Sequence, residues 1–278
     1  MNSSATYPEL ETGERGRSIG LVPFLFGLAG TQSVPAKVIN HLLVDLGMSA
    51  AAAKAQLARM RQRGQLTATR HGRTVDYQLA GPFGESFHRI RSGMGASPPE
   101  WRGSFHALLY QVPESARAFR DHFRRNALLV GYGLLQQGVL IAPADRTESL
   151  AAILARRPSA ATIYPATLHL ALPDARSAAA AAWALPEIEQ RYLRHCHDLR
   201  EALARSARPE PGAAALRRFA ELVNGPMIDT LLAPSLPTEL LPKDWPGRQL
   251  FELIGEVNGR YGPATSRYVR DLIEQARS

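Results

Sequence analysis

The sequence has only one cysteine, Cys196, among its 278 residues. A single thiol excludes both a disulfide framework within the chain and a cysteine-rich zinc site, and it fits a reducing compartment. Long apolar runs are lacking as well. The nearest candidate, residues 19–30, has twelve residues, whereas a membrane-spanning helix needs about 20. We therefore expect a cytoplasmic protein that does not cross a membrane, with residues 19–30 forming a buried first helix.

Acidic residues are absent from residues 46–75, although the chain has 25 Asp and Glu residues in all and a net charge of +8. A solvated helix usually mixes charges of both signs, because oppositely charged neighbours stabilise it. Here the repulsion is uncompensated, and a polyanion would offset it by releasing its condensed counterions. The pattern indicates nucleic-acid binding, with a basic solvated helix as the alternative. The basic residues of this acid-free segment are Lys54, Arg59, Arg61, Arg63, Arg70 and Arg73.

Helix and turn signals order the acid-free segment and its surroundings. Residues 38–46 form a predicted helix that stops at Gly47, where a positive φ is cheap, and Ser49 can cap a second helix. Ala53, Leu57 and Met60 recur at helical spacing and predict its buried stripe. Two strand-like runs around residues 71–72 predict a β-hairpin. Three helices and a basic-tipped hairpin predict a winged helix–turn–helix domain over residues 15–92.

The same spacing assigns the candidate DNA contacts. Ala55, Ala58, Arg59 and Gln62 point away from the buried stripe, so the second helix of the turn would lie in the major groove. Arg59 is our main candidate for a base-edge contact, while flanking and hairpin cations would reach phosphates or the minor groove. The full set is Ser49, Lys54, Gln56, Arg59, Arg61, Gln62, Arg63, Arg70, His71 and Arg73.

The rest of the chain predicts a different architecture. After a linker rich in Gly, Pro and Ser at residues 93–100, the pattern is strand 104–112, helix 114–125, strands 132–137 and 139–142, helix 146–156, and a strand within 162–172. This order is typical of a ferredoxin-like sandwich. Residues 173–278 are predicted to be helical, with a Pro- and Gly-rich break at residues 209–212. The expected fold is therefore α+β and multidomain, with domains at 15–92, 101–172 and 173–278.

Several motifs resemble the PaaX family, which comprises repressors of phenylacetic-acid catabolism. RGQL at residues 63–66, where the second helix of the turn ends, and the hairpin pattern at 72–79 (Gly-Arg, then Tyr-Gln-Leu) are similar to those of the family. So are WRG at 101–103, AWAL at 182–185 and, most specifically, LLPKDWPG at 240–247. The sequence departs from the family pattern at Lys54, where Arg is usual, and at Ala184, where an acidic residue is common.

The resemblance implies a bacterial transcription regulator, usually a repressor. It implies a homodimer on a partly palindromic double-stranded operator, released by an aryl-CoA or other acyl-CoA thioester such as phenylacetyl-CoA. It also implies a central ferredoxin-like domain similar to the Cas2 nucleases and a helical C-terminal domain. No cofactor is expected.

Candidate effector contacts lie around the tryptophans. An indole ring could stack on an aryl or adenine ring, and nearby cations could meet the phosphates of CoA. The alternative is structural: two prolines fix the backbone of LLPKDWPG, Asp244 caps the following helix, and the indole belongs to the core. The candidates are Trp101, Lys243, Trp245 and Arg248.

Enzymatic signatures are sparse. His195 and His197 are two residues apart on a predicted helix and point in different directions, so they cannot hold one metal ion together. The first central strand, residues 104–112, has no carboxylate to hold the ions of a two-metal nuclease. We predict no catalytic and no metal-binding residue. A CoA-thioester hydrolase or nuclease with a winged appendage, and a winged-helix adaptor for proteins, remain the rival interpretations.

Overall fold

The computed structural model describes residues 14–72, 74–81, 83–85, 87–88, 100–205 and 211–278. The chain forms two compact units. The sheet unit contains the described residues of 88–190 and 231–245, and the helical unit contains those of 14–87, 191–230 and 246–278. Most of the last hundred residues pack with the first helices in the helical unit. The fold class is α+β, as expected.

Three helices and a small sheet open the helical unit. Their bounds are α1 Glu14–Ala29, β1 Val34–Pro35, α2 Ala36–Asp45, α3 Ala50–Gln62, β2 Leu66–His71 and β3 Thr74–Leu79. Val22 and Leu25 of α1 are fully buried, which confirms that the apolar run at 19–30 is a core helix. The strands are antiparallel in the order β1-β3-β2, and His71 lies opposite Thr74 next to the hairpin tip.

Glycines end both helices of the turn. Gly47 has a φ of 96° and Gly64 has a φ of 68°. Residues other than glycine rarely adopt these values. After α2, the amides of Gly47 and Met48 bond back to the carbonyls of Val44 and Leu43, at 2.8 and 3.1 Å. These are the two bonds of a Schellman motif. The predicted helix, turn and helix are therefore present, and Pro35 is the N-cap of α2.

The sheet unit has the predicted β-α-β-β-α-β order. Its elements are β4 Ser104–Gln111, α4 Arg117–Leu129, β5 Gly133–Gln136, β6 Val139–Ala142, α5 Ala151–Leu154, β7 Thr162–His169 and α6 Leu172–Ala182. The strands are antiparallel in the order β5-β6-β4-β7. Phe123 of α4 and Leu140 of β6 are fully buried in the core between helices and sheet, so this element order forms a ferredoxin-like sandwich.

The predicted helix at 146–156 is wrong in extent. A 3-10 turn at Glu148–Leu150 precedes the four-residue α5. Asp145 accepts hydrogen bonds from the amide and the hydroxyl of Thr147 at 2.8 and 2.7 Å. This local side-chain bonding offers the backbone an alternative to a helix. Pro158 follows soon after, where a helix could not have continued.

Three long helices complete the described chain: α7 Leu185–Ala204, α8 Ala213–Leu232 and α9 Gly247–Arg277. Phe219 of α8 packs between Phe24 and Tyr261, with ring centroids 5.2 and 6.0 Å apart, and so joins α1 to α9 in the helical unit. Among the residues described, no helix combines the length and hydropathy needed to cross a membrane.

Candidate nucleic-acid interface

The exposed face of α3 carries a row of cations. Lys54, Arg59, Arg61 and Arg63 are all exposed. The opposite face buries Ala53, Leu57 and Met60, each at 4% exposure or less, which confirms the predicted stripe. Because the apolar side is fully used in packing, the cationic side is left toward solvent. Exposed small residues, Ala55 and Ala58, lie among the cations, together with Gln62.

These cations have no acidic partner within the described part of the chain. None of Lys54, Arg59, Arg61, Arg63 and Arg70 forms an ion pair with a described Asp or Glu. By contrast, arginines of α4 and α8 pair with nearby carboxylates, such as Arg120 with Glu114 at 2.9 Å. The electrostatic repulsion read from the sequence is thus not relieved by acidic side chains from elsewhere in the described chain.

Gln56 lies differently from the prediction. We expected it to contact DNA, but only 4% of it is exposed. Its position beside Ala53 and Leu57 turns it to the edge of the buried stripe, where Oε1 accepts a hydrogen bond from Nη2 of Arg59 at 2.8 Å. Gln56 therefore orients Arg59 instead of facing solvent. The three-residue spacing between them is a signal for this contact, since such residues are neighbours on a helix.

Ser49 acts as the predicted cap of α3. Its Oγ accepts a hydrogen bond from the amide of Ala52 at 3.1 Å, which satisfies one of the amides left unpaired at a helix N-terminus. The residue is exposed. The cap thus stabilises the start of the helix that carries the cations.

The hairpin presents one described cation near its tip. Arg70 is exposed, and its Nε donates a hydrogen bond to the carbonyl of Gly72 at 3.0 Å. That contact holds the guanidinium beside the turn. Arg73 and the side chain of His71, both predicted DNA contacts, lie outside the described residues, as does the predicted linker at residues 93–99.

Two acidic residues flank the acid-free segment, and both are engaged. Oδ2 of Asp45 accepts a hydrogen bond from the Tyr268 hydroxyl at 2.7 Å. Oδ2 of Asp76 accepts one from the Ser33 hydroxyl at 2.9 Å and lies 3.4 Å from Nη2 of Arg277. Burial raises the pKa of Tyr268 to about 12, and the hydrogen bond to Asp45 and the negative charge of Asp45 act in the same direction. The Tyr268 hydroxyl therefore keeps its proton at neutral pH and donates.

The four predicted effector residues do not form one cluster within a unit. Trp101, Lys243 and Trp245 belong to the sheet unit, and Arg248 to the helical unit. The Trp101 ring is half-buried against Phe105, with centroids 4.6 Å apart. Lys243 is exposed and Trp245 is half-buried.

Other details around LLPKDWPG differ from the structural alternative. Arg248 is exposed and pairs with Glu252 at 3.2 Å. Asp244 does not cap α9, since Pro246 takes the N-cap position and makes no side-chain hydrogen bond there. Trp183 is a core residue, with no exposure and its ring 6.1 Å from that of Phe105.

The histidine pair on α7 points in two directions, as predicted. His195 is turned inward and bonds Asp229 at 2.7 Å, while His197 is exposed and pairs with Glu201. Cys196 between them is fully buried, and burial raises the pKa of its thiol. Among the residues described, no three His, Cys, Asp or Glu side chains are grouped as metal ligands would be.

A hydrogen-bonded group in the sheet unit was not predicted. The Tyr132 hydroxyl lies 2.9 Å from Nδ1 of His106, and it accepts a hydrogen bond from the amide of Arg146 at 3.3 Å. Nε2 of His106 lies 3.6 Å from Asp145. These residues come from β4, the position just before β5 and the loop after β6, so their sequence separation hides the contact. Burial raises the pKa of Tyr132 to about 12.

Comparison with known families covers most of the chain. Residues 26–82 match the PaaX-like protein family, residues 98–178 match the PaaX protein central Cas2-like domain, and residues 183–271 match the PaaX-like protein C-terminal domain. The chain belongs to the PaaX family. The resemblance inferred from the motifs is thereby confirmed, and PaaX membership supports a role in transcription regulation.

The fold is also similar to that of a solved structure. The uncharacterized protein Rv0674 from Mycobacterium tuberculosis is 22% identical, with a TM-score of 0.52, and the match covers 92% of this chain and 97% of that one. At this identity the likeness concerns the fold alone. A search of curated proteins finds no match to this chain.

Proposed function

We propose that this member of the PaaX family is a DNA-binding transcription regulator in which α1 to α3 and the β2–β3 hairpin form a winged helix–turn–helix. The observation that carries the proposal is the unpaired cationic face of α3 within an acid-free segment. Exposed cations without acidic neighbours are costly unless a partner supplies the negative charge. Double-stranded DNA supplies it in a regular array along both strands.

The geometry of α3 suits the major groove. Ala55 and Ala58 present only methyl groups, which permits a close approach and contact with thymine methyls. Arg59 lies on this face and is held by Gln56, so its guanidinium can form the two parallel bonds by which arginine reads guanine. Lys54, Arg61 and Arg63 lie on the flanks, from where they would bind phosphates.

The hairpin would act as the wing. Arg70 is held beside the tip by its bond to the carbonyl of Gly72, where it would reach a phosphate or the minor groove. Arg73 follows in sequence and would serve the same purpose. Ser49, exposed at the start of α3, has the position from which a hydroxyl can bind a phosphate.

The remaining features follow from the family. The regulator would act in the cytoplasm as a homodimeric repressor, with two copies of α3 entering successive major grooves of a partly palindromic operator. An acyl-CoA such as phenylacetyl-CoA would release it. Release requires that the ligand bind the DNA-free state more tightly than the DNA-bound state, because otherwise it could not shift the equilibrium.

The direct test is binding of the full chain to the DNA that flanks its own gene. We expect tighter binding to that duplex than to a random one of equal length, and weaker binding after addition of the effective member of a CoA-thioester panel. The same samples with Mg²⁺ or Mn²⁺ should leave DNA and thioester intact, since turnover would favour the enzyme. Equal affinity for both duplexes would contradict operator recognition.

Two variants separate the contacts. Arg59→Ala should lower the preference for the operator, because the lost contact is to a base. Arg61→Ala should weaken binding to both duplexes alike, because a phosphate contact carries no sequence information. Equal losses on operator and random DNA for both variants would refute these two assignments.

A further inference from the structure

The C-terminal helices hold the helix–turn–helix at both ends of the acid-free segment. The contacts come from Arg217 of α8 and from Tyr268 and Arg277 of α9, and they meet residues more than 170 positions earlier in the chain. They converge on Asp45 and Asp76, the acidic residues that flank the segment. All five residues belong to the helical unit.

The first attachment completes the end of α2. The carbonyls of Leu42, Leu43 and Val44 accept bonds from the amides that follow the helix. The carbonyl of Asp45 instead accepts from Nε and Nη2 of Arg217, at 3.0 and 2.8 Å. A terminal helix carbonyl needs such an outside partner, and a cation at a helix C-terminus is favourable.

The Asp45 side chain adds a second bond to the same attachment. Its Oδ2 accepts the Tyr268 hydroxyl at 2.7 Å. Residues 46–49 then form the turn that leads into α3. Arg217 and Tyr268 therefore fix the point at which the cationic helix departs from the helices beneath it.

The second attachment lies at the base of the hairpin. Asp76 of β3 is 7% exposed and stands opposite Pro35 of β1. Nη2 of Arg277, the last residue of α9, lies 3.4 Å from Oδ2 of Asp76 and donates to the carbonyl of Ser33 at 3.1 Å. One guanidinium thus ties the end of α9 to β3 and to the residue that precedes β1.

We propose that Tyr268 and Arg277 are positioning residues for DNA recognition, with α9 as a strut that fixes α3 and the hairpin relative to each other. The inference rests on the proposed function, since it concerns the same DNA-binding surface. Nine residues separate the two attachments, which corresponds to about 13.5 Å along a helix. A helix of this length resists compression, so the two DNA-binding elements are held at a defined spacing before DNA is met.

Pre-organisation of this kind has a specific energetic consequence. Bases are read only when α3 and the hairpin sit correctly at the same time, whereas phosphates can be contacted in many registers. Loss of the strut contacts should therefore reduce binding to the operator much more than binding to random DNA. The strut contacts also make the helices matched by the C-terminal family domain part of the DNA-reading unit. An effector bound to these helices would therefore have a route to that unit.

The test compares Tyr268→Phe and Arg277→Met in the full chain. Tyr268→Phe removes a single hydroxyl, and Arg277→Met removes the guanidinium while keeping an extended side chain. The matched controls are Tyr164→Phe, an exposed tyrosine of β7, and Arg270→Met, an exposed arginine of α9. The Arg270 control loses the same charge from the same helix, so it measures the effect of net charge alone.

We expect each test variant to lose roughly fivefold or more in operator affinity, with little change on random DNA and an unchanged salt dependence. Each control should match the wild-type chain. In a background of Asp45→Ala, Tyr268→Phe should cause no further loss, because its partner is already absent. Hydrogen exchange without DNA gives a second readout. Amides of the α2–α3 turn should exchange faster in Tyr268→Phe, and the amides of Val34 and of β3 should exchange faster in Arg277→Met.

Three results would overturn the proposal. Unchanged operator affinity and unchanged exchange in both variants would show that the contacts do not position anything. A flatter salt dependence in Arg277→Met would make Arg277 a phosphate contact instead. A wild-type chain with no operator preference would overturn the proposed function together with this inference, whereas operator preference with unaffected variants overturns this inference alone.

Discussion

Gln56 and Arg59 form a hydrogen-bonded pair on α3, with Oε1 of the buried glutamine 2.8 Å from Nη2 of the exposed arginine. One side chain is packed into the domain and cannot move far, and the other is our main candidate for reading a base. The pair therefore restricts the orientations of the guanidinium before DNA is bound. Restricting a long side chain in advance lowers the entropy that binding has to overcome.

Removal of the Gln56 amide should mimic part of the loss of Arg59. Gln56→Met keeps the volume in the buried stripe, so the fold should persist while operator preference falls. In combination with Arg59→Ala the two losses should not add, since both act on one contact. Affinity measured for the four proteins of this double-mutant cycle checks the coupling, with Gln249→Met on the exposed side of α9 as the control. Fully additive losses would show that Gln56 acts independently of Arg59.

The cap at Ser49 should contribute to stability in a graded way. Ser49→Ala removes the acceptor for the Ala52 amide and should lower the free energy of unfolding by about 1 kcal/mol. Ser49→Gly should lower the free energy of unfolding by only a few tenths of about 1 kcal/mol, because water can reach the freed amide. Urea titration of the two variants measures the difference. A Ser49→Ala midpoint equal to that of the wild type would mean that the capping bond adds no stability.

Close packing at Gly133 predicts a steric cost. A Cβ at this position would lie 2.6 Å from Cε2 of the Trp183 ring and 2.9 Å from the carbonyl of Ala182. Neither neighbour is a flexible chain end, so Gly133→Ala should destabilise the protein by about 1–3 kcal/mol. Gly255→Ala on α9 is the matched control, because no atom lies within 4 Å of its added Cβ, and there alanine should stabilise the helix. A neutral Gly133→Ala would contradict this packing.

The raised pKa of Tyr132 predicts an alkaline loss of stability. Burial lifts this pKa from 10.0 to about 12, so the folded chain keeps a proton that the unfolded chain releases. The stabilisation is complete below pH 10 and is lost as the pH rises through 12. Tyr132→Phe should therefore be less stable than the wild type at neutral pH, because it leaves His106 without its hydroxyl partner, and the difference should shrink above pH 10. Thermal unfolding over this pH range, with Tyr164→Phe as a control, measures the effect; a difference independent of pH would refute it.

Local patterns carried most of the correct predictions. The stripe of Ala53, Leu57 and Met60 follows from helical spacing, and the stop at Gly47 follows from the φ that only glycine adopts easily. Side chains at the border of a stripe are harder to place. Gln56 can be buried only if a neighbour satisfies its amide with a hydrogen bond. Arg59 donates that bond because both residues lie on the same edge of the helix.

Contacts between distant segments could not be predicted. Nothing in the local sequence around Arg217 or Tyr268 points to Asp45. The grouping of His106 with Tyr132 depends on how distant strands pair in the sheet. The shortened helix at Ala151–Leu154 was missed for a different reason, since the side chain of Asp145 competes for the backbone at its start. For the same reasons, the division of the C-terminal helices between the two units is a property of the whole fold.

The most direct measurement is the salt dependence of DNA affinity for the full chain. If the exposed cations of α3 and the hairpin bind phosphates, the logarithm of the binding constant should fall linearly with the logarithm of salt concentration. Arg61→Gln should make that slope shallower by about 0.9, the value for one phosphate contact, and Arg270→Gln should leave it unchanged. Affinity that does not depend on salt, or an equal change of slope in both variants, would contradict the claim that this segment grips a duplex.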